Sequence, residues 1–279
     1  MDVFKKFDIR VFDAFVDKFA QKYVDLRSSF HNDGESALLK AAESLGSGFD
    51  LTQIKSIITA KSVYLDPDRE SGKTPKPLND IYRSDFGELL TTYYFEEKLP
   101  SEDRYIIPLK NISYRERYDM PGRGNDVLGY KMSAEGKITL LLGEAKVSSQ
   151  KNNPPAVVDQ KVDSIYNTQK SYHDNPDVIL QRLTDFMKRL SAGEDLVVIG
   201  FIVLSLQGGK TDKFDITYGC GLVRDYSCVK VDEDYGKLKT NADDFRPGDV
   251  HFAIFSFTNE TIENTVQLFY DKVKDLVNG

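Results

Sequence analysis

Asp126, Glu144 and Lys146 are the residues whose types and spacing point to chemistry. They stand in two apolar stretches, Gly124-Asn125-Asp126-Val127-Leu128 and Leu141-Leu142-Gly143-Glu144-Ala145-Lys146, joined through the turn Ser133-Ala134-Glu135-Gly136-Lys137. If the stretches pair as a hairpin centred on residue 135, Asp126 faces Glu144 directly, with Cβ atoms about 4.5–5.5 Å apart. Lys146, two residues further on, projects from the same face as Glu144. A register slip of one residue would remove this opposition. Two carboxylates facing each other across a sheet repel, and burying both is costly unless a cation neutralises them. Mg²⁺ or Mn²⁺ suits that task, because Mg²⁺ takes oxygen ligands, typically one or two carboxylates with waters and phosphate oxygens. The Ala145 carbonyl offers a further oxygen. Such a metal lowers the pKa of a bound water and stabilises charge on a scissile phosphate. Lys146 would orient that water, help to deprotonate it, or hold the developing charge. The competing reading is an ordinary hairpin with a surface ion pair. Against it, Leu140–Leu142 and Val127–Leu128 are apolar on both faces, so these charges lie in a strand that is otherwise buried.

Other elements must position that pair. Ser84-Asp85-Phe86-Gly87-Glu88-Leu89-Leu90 opens a helix in this reading, capped by Ser84 or Asp85, with Phe86, Leu89, Leu90 and Tyr93 on one face and Glu88 beside it. Strands are expected at Tyr105–Leu109, Asn125–Met132 and Ile138–Val147, then helices at about Ala156–Lys170 and Val178–Leu190. The apolar run Leu196–Leu206 reads as a buried strand, about half a membrane span in length. Strands near Phe214–Leu222 and Val250–Phe257 and a last helix from about Glu260 complete the order. The first 62 residues read as helices, with Phe12, Phe15, Val16, Phe19 and Tyr23 on one stripe and a shorter helix at about Ser36–Leu45. The Pro-containing stretch Asp66–Asn79 reads as a loop and as the domain boundary, separating an N-terminal region 1–80 from a domain 81–279. This pattern predicts an α/β fold, a mixed sheet covered by helices on both faces.

Composition narrows the function class. The chain has 279 residues with 17 Phe and 15 Tyr, which excludes global disorder. Its N-terminus lacks the apolar core of a signal peptide, so a soluble, cytoplasmic protein without a membrane partner is expected. The two cysteines, Cys220 and Cys228, have neither disulfide-framework nor zinc spacing. A net charge of −7 argues against non-specific coating of nucleic acid. Residues 104–170 nevertheless carry 11 Lys/Arg against 7 Asp/Glu, net +4, leaving −11 on the other 212 residues. An acidic body with one basic stretch suits an enzyme with a polyanion-facing groove; chance fluctuation of surface charge is the plain alternative.

Asp126 with Glu144-Ala145-Lys146 resembles the PD-(D/E)xK nuclease superfamily. Its pattern is an acidic residue at the end of one strand and Glu/Asp-x-Lys on the antiparallel neighbour. The elements from Ser84 to Leu206 follow the superfamily's restriction-endonuclease-like core of helix, three strands, helix, strand. The resemblance implies a metal-dependent nuclease acting on DNA, with Asp126 and Glu144 as ligands of Mg²⁺ or Mn²⁺. Many members add a Glu from the first helix to the metal site, a place that Glu88 occupies. More narrowly, Gly87-Glu88-Leu89-Leu90, the Gly-x-Asp strand and Leu-Leu-Gly-Glu-Ala-Lys (141–146) followed by a helix resemble the HamA family, nuclease subunits of Hachiman antiphage defence systems. That similarity covers about 70 residues and implies a helicase partner, HamB.

Lesser candidates remain. Arg115, Arg117 and Arg123, with Tyr114 and Tyr118, precede Asp126 and would meet phosphates or stack on bases, or else form a charged loop. Gln160 and Tyr166 resemble the Gln…Tyr helix of RecB-like nucleases, at a different spacing. Gln207-Gly208-Gly209-Lys210-Thr211 is not a Walker A loop, because that motif's first glycine would fall at Leu204. Asp66-Pro67-Asp68 lacks the glycine an EF-hand needs, where Ser71 stands. His31, His173 and His251 have no metal-ligand or nucleophile-partner spacing. Two function classes compete with a helicase-gated nuclease: a restriction-type endonuclease acting alone, and a catalytically inactive nuclease fold kept as a DNA- or protein-binding module.

Overall fold

Strands that are apolar on both faces call for helices on both sides of a sheet. The computed structural model has that arrangement; it describes residues 1–10, 13–29, 34–46, 48, 50, 52–56, 76–114 and 125–278. Strands β1 (Val3–Ile9), β2 (Val127–Met132), β3 (Ile138–Ser148), β4 (Phe214–Arg224) and β5 (Asp249–Phe257) form one sheet in the order β1-β5-β4-β3-β2. The β2–β3 pair is antiparallel, and β3–β4, β4–β5 and β1–β5 are parallel. The helices are α1 (Asp13–Ser28), α2 (Gly34–Ser44), α3 (Lys76–Tyr93), α4 (Ala156–Asp159), α5 (Ile165–Asp174), α6 (Pro176–Met187), α7 (Glu194–Gln207), α8 (Val231–Asp234), α9 (Gly236–Thr240) and α10 (Ile262–Asn278).

Helices α1, α3 and α10 bury Phe19, Phe86, Leu89 and Phe269 against Leu141, Val223 and Phe257 on one face of the sheet. Helices α4 to α7 bury Val158, Ile165, Leu183 and Ile199 against Leu140, Leu142 and Leu222 on the other. Each fully buried side chain of this kind contributes about 1.5–3 kcal/mol. Because side chains alternate along a strand, Glu144 and Lys146 fall on the α4–α7 face with Leu140 and Leu142. Helix α3 approaches the back of β3 through Gly87, where a Cβ would stand 2.6 Å from Val147 Cγ2. Only a residue without a side chain lets the helix sit this close.

Several expectations need correction. The run Leu196–Leu206 is not a strand but most of helix α7. Its inner residues Val198, Ile199 and Ile202 are buried, while Val197, Phe201 and Leu204 are exposed, so the run is apolar all round and carries no helical periodicity. The expected strand Tyr105–Leu109 is reduced to one antiparallel bridge, Ile106 with Tyr130, and Pro108 has no N–H to extend it. The N-terminal segment opens with a strand, β1, before its helices. Helix α3 already runs through the residues before Ser84, so Ser84 and Asp85 lie inside it and cap nothing. The expected helix Ala156–Lys170 is broken into α4 and α5 at Asp163, whose φ of 52° is left-handed. Ser164 then caps α5 by accepting from the Asn167 N–H. The stretch 66–75, Phe12, His31 and the arginines 115, 117 and 123 lie outside the described residues.

Candidate active site

The β2–β3 register opposes Val127 to Gly143 and Met132 to Ile138, the pairing expected from the turn. One step beyond Val127, it brings Asp126 opposite Glu144. Asp126 Oδ2 accepts the Ala145 N–H at 2.8 Å, which ties its carboxylate across the hairpin. Gly143 permits this closeness, since a Cβ there would stand 2.5 Å from Val127 Cβ and 2.9 Å from the Val127 carbonyl oxygen. Glu144 is buried and Lys146 half-buried, and Lys146 Nζ lies 3.1 Å from Glu144 Oε1. These three groups thus share one face at the end of β3.

Their electrostatics reflect crowding of like charge in a desolvated place. Burial pushes the Asp126 carboxyl up to about 6, with the Ala145 hydrogen bond and the Lys146 charge acting against it. Burial, then the charge of Asp126, push Glu144 up to about 8. Burial alone would lower the Lys146 ammonium, but Glu144 and Asp163 outweigh it and raise it above the usual lysine value. The raised carboxylates are groups that gain from a cation. Two hard oxygen donors facing each other fit Mg²⁺ or Mn²⁺, which are ordinarily held by one or two carboxylates together with waters and phosphate oxygens. Among the described residues, no three His, Cys, Asp or Glu side chains are grouped to hold a metal.

Glu88 lies on α3, which covers the opposite face of the sheet; it is buried, and its Oε1 accepts the Ile112 N–H at 3.1 Å. The acidic group of α3 whose charge reaches Asp126 is Asp85, itself buried and accepting from the Tyr23 hydroxyl at 3.2 Å. Gln160 is exposed at the C-terminal end of α4, and its Nε2 donates to the Asp163 carbonyl at 3.4 Å. Tyr166 donates to Asp244 at 3.4 Å and packs edge-on against Phe245.

Sequence reasoning missed three residues around the pair. Asp163 Oδ1 lies 2.6 Å from Lys146 Nζ. Gln169, fully buried on α5, donates from Nε2 to the carbonyls of Leu142 at 3.0 Å and Gly219 at 2.8 Å, bridging β3 and β4 beside the site. Arg224, fully buried, pairs with Asp234 and donates to the carbonyls of Ser148, Gln150, Asn152 and Cys228, fixing the segment that leaves β3 after Lys146. No spacing rule finds these contacts; the one available signal is the uncommon arginine at the end of an apolar strand. Cys220 and Cys228 are both free thiols, the first buried and the second half-buried. Among the described residues, no helix is long and apolar enough to cross a membrane.

Comparison with known proteins adds one finding. No curated protein and no solved structure matches the chain. The profile of the HamA family matches residues 10–273, nearly the whole chain and well beyond the hairpin. The chain therefore belongs to the HamA family, the Hachiman antiphage-defence proteins.

Proposed function

We propose that this chain is a metal-dependent deoxyribonuclease, the effector of an antiphage defence system gated by a partner helicase. The observation that carries the reading is the opposition of Asp126 and Glu144 beside Lys146 on one sheet face. Asp126 and Glu144 would hold Mg²⁺ or Mn²⁺, with the Ala145 carbonyl as a further oxygen; Glu88, expected to complete the site, lies on α3 across the sheet and accepts from the Ile112 N–H. When bound, the ion supplies Lewis-acid stabilisation of charge on the scissile phosphate. Lys146, close to Glu144, holds the attacking water by hydrogen bond and offsets the charge that builds on the phosphate oxygens. The apolar shell of Leu140, Leu142 and Leu222 keeps bulk water from the back of the site and so strengthens these interactions. Arg115, Arg117, Arg123 and Gln160 are the candidate contacts to the DNA backbone.

A second reading has its own support: Lys146 Nζ already lies against Glu144 Oε1, and no three-group cluster is present among the described residues. Those features suit an inactive nuclease fold that serves as a binding module. Calorimetric titration with Mn²⁺ separates the two. The enzyme reading predicts binding that Asp126→Asn and Glu144→Gln abolish; a titration without heat in the wild-type protein supports the module.

A further inference from the structure

Lys146 is held between two carboxylates, and the second of them, Asp163, belongs to no element of the hairpin. Asp163 stands in the turn between α4 and α5, with a left-handed backbone (φ 52°) that few residues other than glycine adopt. Asp and Asn are the side chains that tolerate it best. The turn is anchored on both sides. Val158 is fully buried before it, and Ser164 and Ile165 are fully buried after it. The Ser164 hydroxyl donates to the Gln160 carbonyl at 2.8 Å, and the Asn167 side-chain amide donates to the same oxygen. Asp163 is thereby aimed at Lys146 by backbone structure, although its own side chain is 77% exposed. An ion pair this exposed adds little to stability. Its effect is therefore on where the ammonium sits.

Glu144 cannot hold Lys146 by itself during the proposed reaction. Any cation shared by Asp126 and Glu144 draws on the same carboxylate oxygens and repels the ammonium. A carboxylate on the solvent side, fixed by a rigid turn, keeps the ammonium at the site when Glu144 is engaged elsewhere. We propose that Asp163 is a positioning residue for Lys146, retaining the ammonium beside the scissile phosphate. This assignment rests on the reading of Lys146 as a catalytic group.

The test uses Asp163→Asn, which keeps size and left-handed tolerance but removes the charge, and Asp163→Gly, which relieves the backbone and removes the carboxylate. Steady-state DNA cleavage with Mg²⁺, with the helicase partner present, should show kcat lower by about 10- to 100-fold in both variants. KM for DNA and melting temperature should stay near wild type. Independently of activity, 15N NMR should show slowly exchanging Lys146 ammonium protons in the wild type, assigned by their loss in Lys146→Ala, and fast exchange in both Asp163 variants. Unchanged or raised kcat in both variants overturns the proposal. If the wild type cuts no DNA, the nuclease reading fails and the ammonium signal decides alone: fast exchange in Asp163→Asn supports retention of Lys146 by Asp163, and unaltered exchange refutes it.

Discussion

Asp126 and Glu144 face each other across the β2–β3 hairpin, Asp126 anchored by the Ala145 amide and Glu144 lying 3.1 Å from Lys146 Nζ. The arrangement concentrates two carboxylates where burial opposes both charges. Such a place is costly to the fold and fits a site kept for chemistry. Its consequences are measurable.

In the metal-free protein, Glu144, with its carboxyl raised to about 8, binds a proton in the folded state that the unfolded chain has released above its ordinary value of 4.5. Its contribution to stability is therefore present at low pH and lost as pH rises through that window. Glu144→Gln should remove this slope and raise stability at pH 8 by on the order of 1 kcal/mol. Saturating Mg²⁺ should flatten the wild-type slope and leave the variant unaffected. Thermal melts across pH with and without Mg²⁺ check both statements.

His251 tests the opposite sign. It is buried, its Nε2 lies 2.6 Å from the Tyr94 hydroxyl, and burial followed by the charges of Lys5 and Lys131 lowers it to about 4. The unfolded chain takes up a proton near pH 6.5 and the folded chain does not, so stability falls as pH drops from 6.5 to 4. The loss amounts to about 3 kcal/mol at full effect. His251→Gln should abolish that component, as read from the difference between wild-type and variant denaturation curves at each pH.

How much of this was legible beforehand depends on the range of the interaction. The hairpin register follows from one turn and two local strands, so the opposition of Asp126 and Glu144 is legible in the sequence. Strand β1 was not legible, because Lys5 and Lys6 interrupt its alternation and its partner β5 begins at Asp249. Helix α7 reads as a strand in sequence because Val197, Phe201 and Leu204 are apolar on an exposed face, erasing the period that marks a helix. Asp163 was invisible for a different reason: its reach to Lys146 depends on a left-handed backbone angle at a break that looks like continuous helix in sequence.

Arg224 predicts the largest stability effect. Its guanidinium and Asp234 are both fully buried, so removing either partner leaves an uncompensated charge. Arg224→Ala or Asp234→Ala should cost about 3–5 kcal/mol in urea denaturation. Arg224→Lys should fail to rescue, since an ammonium cannot reach the Ser148, Asn152 and Cys228 carbonyls at once.

Gly143→Ala probes the closeness of the hairpin. The added methyl meets Val127 Cβ and the Val127 carbonyl, so β2 must move away from β3 at the position next to Asp126. A loss of about 1–3 kcal/mol is expected, together with weakened Mn²⁺ binding, because the two carboxylates no longer converge. Calorimetry at a temperature well below the variant's melting point separates the two effects.

Cleavage is the most direct measurement of the central claim. Plasmid and linear DNA are incubated with Mg²⁺ and the purified protein, alone and with the proposed helicase partner, using wild type, Glu144→Ala and Lys146→Ala. The account predicts Mg²⁺-dependent cleavage by the wild type, suppressed by a chelator and lowered by at least about 100-fold in each variant. Cleavage that persists at the wild-type rate in Glu144→Ala and Lys146→Ala would contradict it.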